Sequence, residues 1–85
     1  MFHIFLANQA KNFLKNCDNE LYNRLNKKID ELALNPFPSD VVMVKGKKHK
    51  AFRVRVGKYR IQYVVFQDKE EILIFDIDKR ERAYD

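Results

Sequence analysis

The chain has 85 residues, one cysteine, 46% hydrophobic residues and a formal charge of +5. These values exclude an internal disulfide and a disordered chain, and they bound the molecule to one domain, residues 1–85, with one modest core. No apolar run approaches the ~18 residues that span a bilayer and no signal peptide is recognisable, so the expectation is a reduced, cytoplasmic protein without a membrane partner.

Residues 2–6 are apolar and β-prone and predict a first strand. Asn8 is a candidate cap for a short helix in which Ala10, Phe13, Leu14 and Cys17 recur at helical spacing. Cys17 reads as a small core residue there. Asp18 or Asn19 can cap a second helix, whose stripe is Leu21, Leu25, Ile29 and Leu32, widened by Tyr22 and Ala33. Asn35-Pro36 ends it, because proline pushes the preceding residue out of the α region. Residues 41–44 predict a strand or an extended connector, and KGKKHK, residues 45–50, a basic loop. Three β segments follow, at residues 51–56, 59–66 and 71–78, and KRERAYD closes the chain. The order β-α-α-β-β-β predicts an α+β domain, a mainly antiparallel sheet with two helices packed on one face.

The segment FRVRVGKYRIQY, residues 52–63, reads as a hairpin around a two-residue turn, Gly57-Lys58, of type II′ or I′. Either turn sets Val56 opposite Tyr59, Arg55 opposite Arg60, Val54 opposite Ile61 and Arg53 opposite Gln62. Alternation then places Phe52, Val54, Val56, Tyr59, Ile61, Tyr63 and Val65 on the face the helices cover. Arg53, Arg55, Arg60 and Gln62 share the other. Residues 41–67 hold Lys45, Lys47, Lys48, Lys50, Arg53, Arg55, Lys58 and Arg60 with no Asp or Glu, and segregated charge of this kind makes a local field. Like charges opposed across a ladder are unfavourable. Either the arginines wait for an anion, or they are solvated, or each finds Asp76 or Asp78 on the next strand. Guanidinium is the planar fork suited to phosphate, and the expectation is a face open to a ribose-phosphate backbone. An extended tail would turn Arg80, Arg82 and Tyr84 the same way.

In order and spacing, these pieces resemble the RelE/ParE superfamily of toxins from toxin–antitoxin pairs, and the RelE branch in particular. The hairpin is similar to the family signature of an aromatic residue, then basic, apolar, basic, apolar, glycine, any residue, tyrosine-arginine, apolar, any residue and tyrosine. KRERAY is similar to its late arginine followed by tyrosine. The resemblance covers nearly the whole chain and implies a single RelE-like toxin domain. It implies a metal-independent, ribosome-dependent endoribonuclease that cuts mRNA and needs no cofactor. It carries the family's catalytic positions onto Arg53, Arg55, Arg60, Arg80 and Tyr84. Partners would be a cognate RelB-like antitoxin, forming a heterocomplex, and the ribosome with its mRNA. Lys45, Lys47, Lys48, Lys50 and Arg82 would hold RNA phosphate with little sequence reading. Arginine stays protonated, so base and acid would come from Tyr84, Lys47, Lys48 or His49. His3 takes no role. The alternatives are ParE-like inhibition of DNA gyrase and a non-catalytic basic RNA-binding module.

Overall fold

A computed structural model describes residues 1–44 and 50–79. The elements run β1 (His3–Leu6), α1 (Asn8–Asn16), α2 (Asn19–Leu34), β2 (Val42–Val44), β3 (Ala51–Val56), β4 (Tyr59–Phe66) and β5 (Glu71–Lys79). They build one five-stranded sheet in the order β1-β5-β4-β3-β2. All neighbours are antiparallel except β1 and β5, which pair in parallel from His3–Glu71 to Leu6–Ile74.

Both helices pack on one face, as their apolar stripes require. Leu21, Leu25, Ile29 and Leu32 of α2, with Ala10 of α1, bury against Val54, Ile61, Tyr63, Ile72, Ile74 and Ile77 of the sheet. Tyr22, expected to widen the α2 stripe, instead points out and is 42% exposed, whereas Ala33 is buried. Cys17 packs half-buried at the margin of the core, just past the end of α1.

The helix starts resolve differently. Asp18 is the α2 cap, its carboxylate accepting from the Leu21 N–H at 2.8 Å. Asn8 is not the α1 cap. It is the first helical residue, and Ala7 is the N-cap with no side-chain hydrogen bond. Ala7 stays extended because its N–H still donates to the Ile74 carbonyl at 2.9 Å, continuing the β1–β5 pairing by one residue.

The hairpin register is the one the Gly57-Lys58 turn dictates, with Val56 opposite Tyr59 and Arg55 opposite Arg60. Gly57 has φ +61°, while Lys58 is not among the residues of positive φ. The turn is therefore II′, since I′ would need both central residues at positive φ. The β4–β5 pairing carries one irregularity. Tyr63 opposes Ile74, but Gln62 opposes Asp76, so Phe75 is an extra residue in β5. This bulge lets Ile72, Ile74 and Ile77 all face the helices and turns Asp76 and Asp78 to the opposite side.

Candidate functional site

The side of the sheet away from the helices carries the arginines. Register places Arg55, Arg60 and Asp78 in one row across β3, β4 and β5, and Arg53, Gln62 and Asp76 in the next. A third row, Val44, Ala51, Val64, Leu73 and Phe5, is apolar. Its Phe5 ring is 50% exposed at the β1 end, on the far side of β5 from the arginines.

The rows also bring carboxylates to the arginines, which corrects the expectation of a basic face without acids. Arg60 Nε lies 3.6 Å from Asp78 Oδ1, ion-pair distance but longer than a hydrogen bond. Gln62 Nε2 donates to Asp76 Oδ2 at 3.3 Å. Arg60 is 3% exposed and, among the described residues, the one buried charged residue. It is a recessed cation rather than a surface one. Arg53 is half-buried and Arg55 exposed, so the accessible guanidinium groups of the hairpin are those of β3. The acids stand on β5, next to β4 and away from β3. The face thus grades from basic at β3 to acidic at β5.

Positive charge continues around the β3 edge onto α2. Arg55 and Val56 line a shallow cleft with Arg24, Lys27, Lys28 and Glu31. Within it Lys28 is bound to Asp40 at 3.0 Å, with Glu31 at 3.7 Å. Arg24 and Lys27 were not singled out as site residues from sequence. The available signal was their position off the apolar stripe of α2, one and two helical turns from its start. A larger concavity lies elsewhere, on the helix side, where Phe13 meets Tyr59 edge-to-face at 5.8 Å beside Cys17, Leu21 and Lys79. It contains none of the hairpin arginines.

Of the other expected site residues, Lys50 is exposed one residue before β3. Lys45, Lys47, Lys48, His49, Arg80, Arg82 and Tyr84 lie outside the described residues. Among the described residues no three His, Cys, Asp or Glu side chains gather as a metal site, and no helix is long and apolar enough to cross a membrane.

The fold is that of RelE toxins. A chain of the archaeal RelE–RelB complex from Pyrococcus horikoshii OT3 superposes with a TM-score of 0.82 at 27% identity, covering 96% of this chain and 98% of that one. The isolated Escherichia coli RelE toxin also reaches 0.82, over 99% of this chain and 89% of that one, at 17% identity, a likeness of fold alone. The family described as the ParE toxin of type II toxin–antitoxin systems matches residues 4–84. The chain belongs to this RelE/ParE superfamily of toxins, in its RelE-like branch. A protein of Methanocaldococcus jannaschii named "Putative toxin RelE1" is 44% identical over 59 residues, which are 66% of this chain and 64% of that protein's length.

Proposed function

We propose that this chain is a ribosome-dependent endoribonuclease, the toxin of a type II toxin–antitoxin pair. The observation that carries the reading is the row of Arg55 and Arg60, with Arg53 one row away, on one rigid sheet face of a RelE-like domain. In metal-independent cleavage the ribose 2′-OH attacks the adjacent phosphorus. A P–O2′ bond forms, the P–O5′ bond breaks, and the leaving 5′-oxygen takes a proton. Charge grows on the phosphoryl oxygens, where fixed donors outside bulk water stabilise it most. Arg53 and Arg55 meet that phosphate from β3, and Arg60 supports it from the floor of the face. By resemblance, Arg80 adds a further cation and Tyr84 takes part in proton transfer.

The arrangement is rich in charge stabilisation and poor in acid–base groups, so the ribosome supplies the missing orientation of the mRNA backbone. Lys50, Arg24 and Lys27, with Lys45, Lys47, Lys48 and Arg82, hold ribosomal or messenger phosphate. The antitoxin is an acidic RelB-like chain that covers this face. One solved relative, from Pyrococcus horikoshii, is described as a RelE–RelB complex, and one from E. coli as the RelBE toxin–antitoxin complex.

The test adds purified protein to translating ribosomes and maps mRNA 5′ ends by primer extension. New ends that require both ribosome and toxin are expected. Arg55→Ala, Arg60→Ala or Arg80→Ala should lower cleavage about a hundredfold or more. Intact mRNA with trapped gyrase–DNA breaks would replace this reading with gyrase inhibition. Binding of free RNA without cleavage would replace it with a charge-only module.

A further inference from the structure

Arg60 presents a physical problem that the reaction does not by itself explain. Its side chain is 4% exposed and it cannot shed its charge. Taking a cation out of water is costly, and an ion pair repays this no better than an apolar pair of the same size would. A buried pair in the middle of a sheet is thus a poor stability device. It is a good way to fix where a guanidinium points.

Asp78 is an ion-pair partner, and its place is constructed. Were β5 regular beyond the Tyr63–Ile74 pairing, Arg60 would oppose Ile77, and Asp76 would turn toward the core opposite Ile61. The extra residue Phe75 moves the register by one, sets Asp78 opposite Arg60 and turns both to the arginine face. The shifted strand is then clamped by Gln9 of α1. The Gln9 amide donates to the Ile77 carbonyl and accepts from the Ile77 N–H, each at 2.8 Å, one residue before Asp78. Strand, bulge and clamp together aim one carboxylate at one guanidinium, with Asp78 Oδ1 3.6 Å from Nε. Nε is the inner nitrogen of the guanidinium, so an acid on that side constrains the plane of the group.

We propose that Asp78 is a positioning residue: set by the Phe75 bulge, it holds the Arg60 guanidinium on the sheet face in the orientation that receives a phosphodiester. This deepens the nuclease reading and rests on it for the ligand class. The pairing itself is open to a separate measurement.

The experiment compares Asp78→Asn, Asp78→Glu, Arg60→Ala and the double Arg60→Ala/Asp78→Asn variant, each checked for folding by thermal melt. Ribosome-dependent cleavage is resolved into kcat and KM. In parallel, affinity is measured for an RNA oligonucleotide blocked by 2′-O-methyl groups, and the Arg60 Nε–Hε resonance is followed by NMR. D78N should lower kcat/KM by about tenfold to a hundredfold and weaken binding of the blocked oligonucleotide, as for loss of a hydrogen-bonded or ion-paired charge. D78E should recover part of it. The double variant should be no worse than R60A, and the Nε–Hε signal should move in D78N. A D78N enzyme within about twofold of wild type, or a faster one, overturns the proposal, the faster one making Asp78 a competitor of phosphate. An additive double variant overturns it too. If the wild-type chain cuts nothing, the nuclease reading falls, and the blocked oligonucleotide decides. Weaker binding by D78N with a moved Arg60 signal upholds the positioning role. Unchanged or absent binding ends it.

Discussion

Tyr63 is the largest fully buried side chain among the described residues, and its hydroxyl donates to the Pro36 carbonyl at 2.7 Å. One phenol thus ties the central strand to the Asn35-Pro36 break that ends α2, while its ring meets Phe52 at 6.0 Å, tilted, and Phe37 meets Phe52 edge-to-face. Burial pushes the phenol well above its ordinary range, with the nearby Asp40 charge adding to the effect. The folded state therefore favours the neutral phenol. Its contribution is complete below the unfolded value of about 10 and is lost as pH rises toward the folded one. Tyr63→Phe should cost about 1–3 kcal/mol at pH 7, because the carbonyl is left without its donor. It should also flatten the loss of stability between about pH 10 and 11 relative to wild type. Urea unfolding at the two pH values checks both effects, and parallel curves for the two proteins would remove this role. Gly57 is the second position where one atom matters. At φ +61° an L-residue is strained, and a Cβ there would collide with the Arg24 guanidinium. Gly57→Ala should lower stability by about 1–2 kcal/mol or more, and Arg24→Ala in the same chain should restore only the part due to collision.

β5 shows how a local pattern is overruled by its surroundings. EILIFDID alternates regularly, and a flat strand would put Ile72, Ile74, Asp76 and Asp78 on one face. Two carboxylates in the core would be prohibitive, and that conflict was the signal available in sequence for a bulge. The hairpin register, by contrast, was readable residue by residue, because a two-residue glycine turn leaves the pairing no freedom. The α2 stripe was readable as well, since period and burial agree. The Gln9 clamp was not. Its side chain reaches across 68 positions to serve as the neighbour β5 lacks beyond the end of β1, a pairing no short-range pattern encodes. Gln9→Ala should strip both hydrogen bonds from Ile77 and lower stability by about 1–3 kcal/mol, measured as a shift in the denaturant midpoint. If the midpoint stays in place, the clamp contributes nothing and the bulge is held by the core alone.

Charge is distributed over the whole molecule in a way composition alone could not convey. A formal +5 was evident from the first count, and so was the acid-free run of residues 41–67. Folding brings in acids from a distant stretch, Asp76 and Asp78, and recesses Arg60 beside one of them. It also joins Arg24 and Lys27 of α2 to Arg55 at the far edge. The accessible positive surface is therefore displaced toward β3 and α2, and RNA phosphates should track that edge rather than the centre of the sheet. Each phosphate neutralised on a single strand steepens the dependence of log K on log salt by about 0.7. Four contacts would cost about fiftyfold in affinity between 50 and 200 mM salt. Titrating a 2′-O-methyl RNA oligonucleotide across that range should give such a slope. Arg24→Ala, Lys27→Ala and Arg55→Ala should each reduce it by about 0.7, whereas Lys11→Ala, on α1, should leave it unchanged. Equal slopes in all four variants would mean that the field of the whole chain binds RNA, with no directed edge.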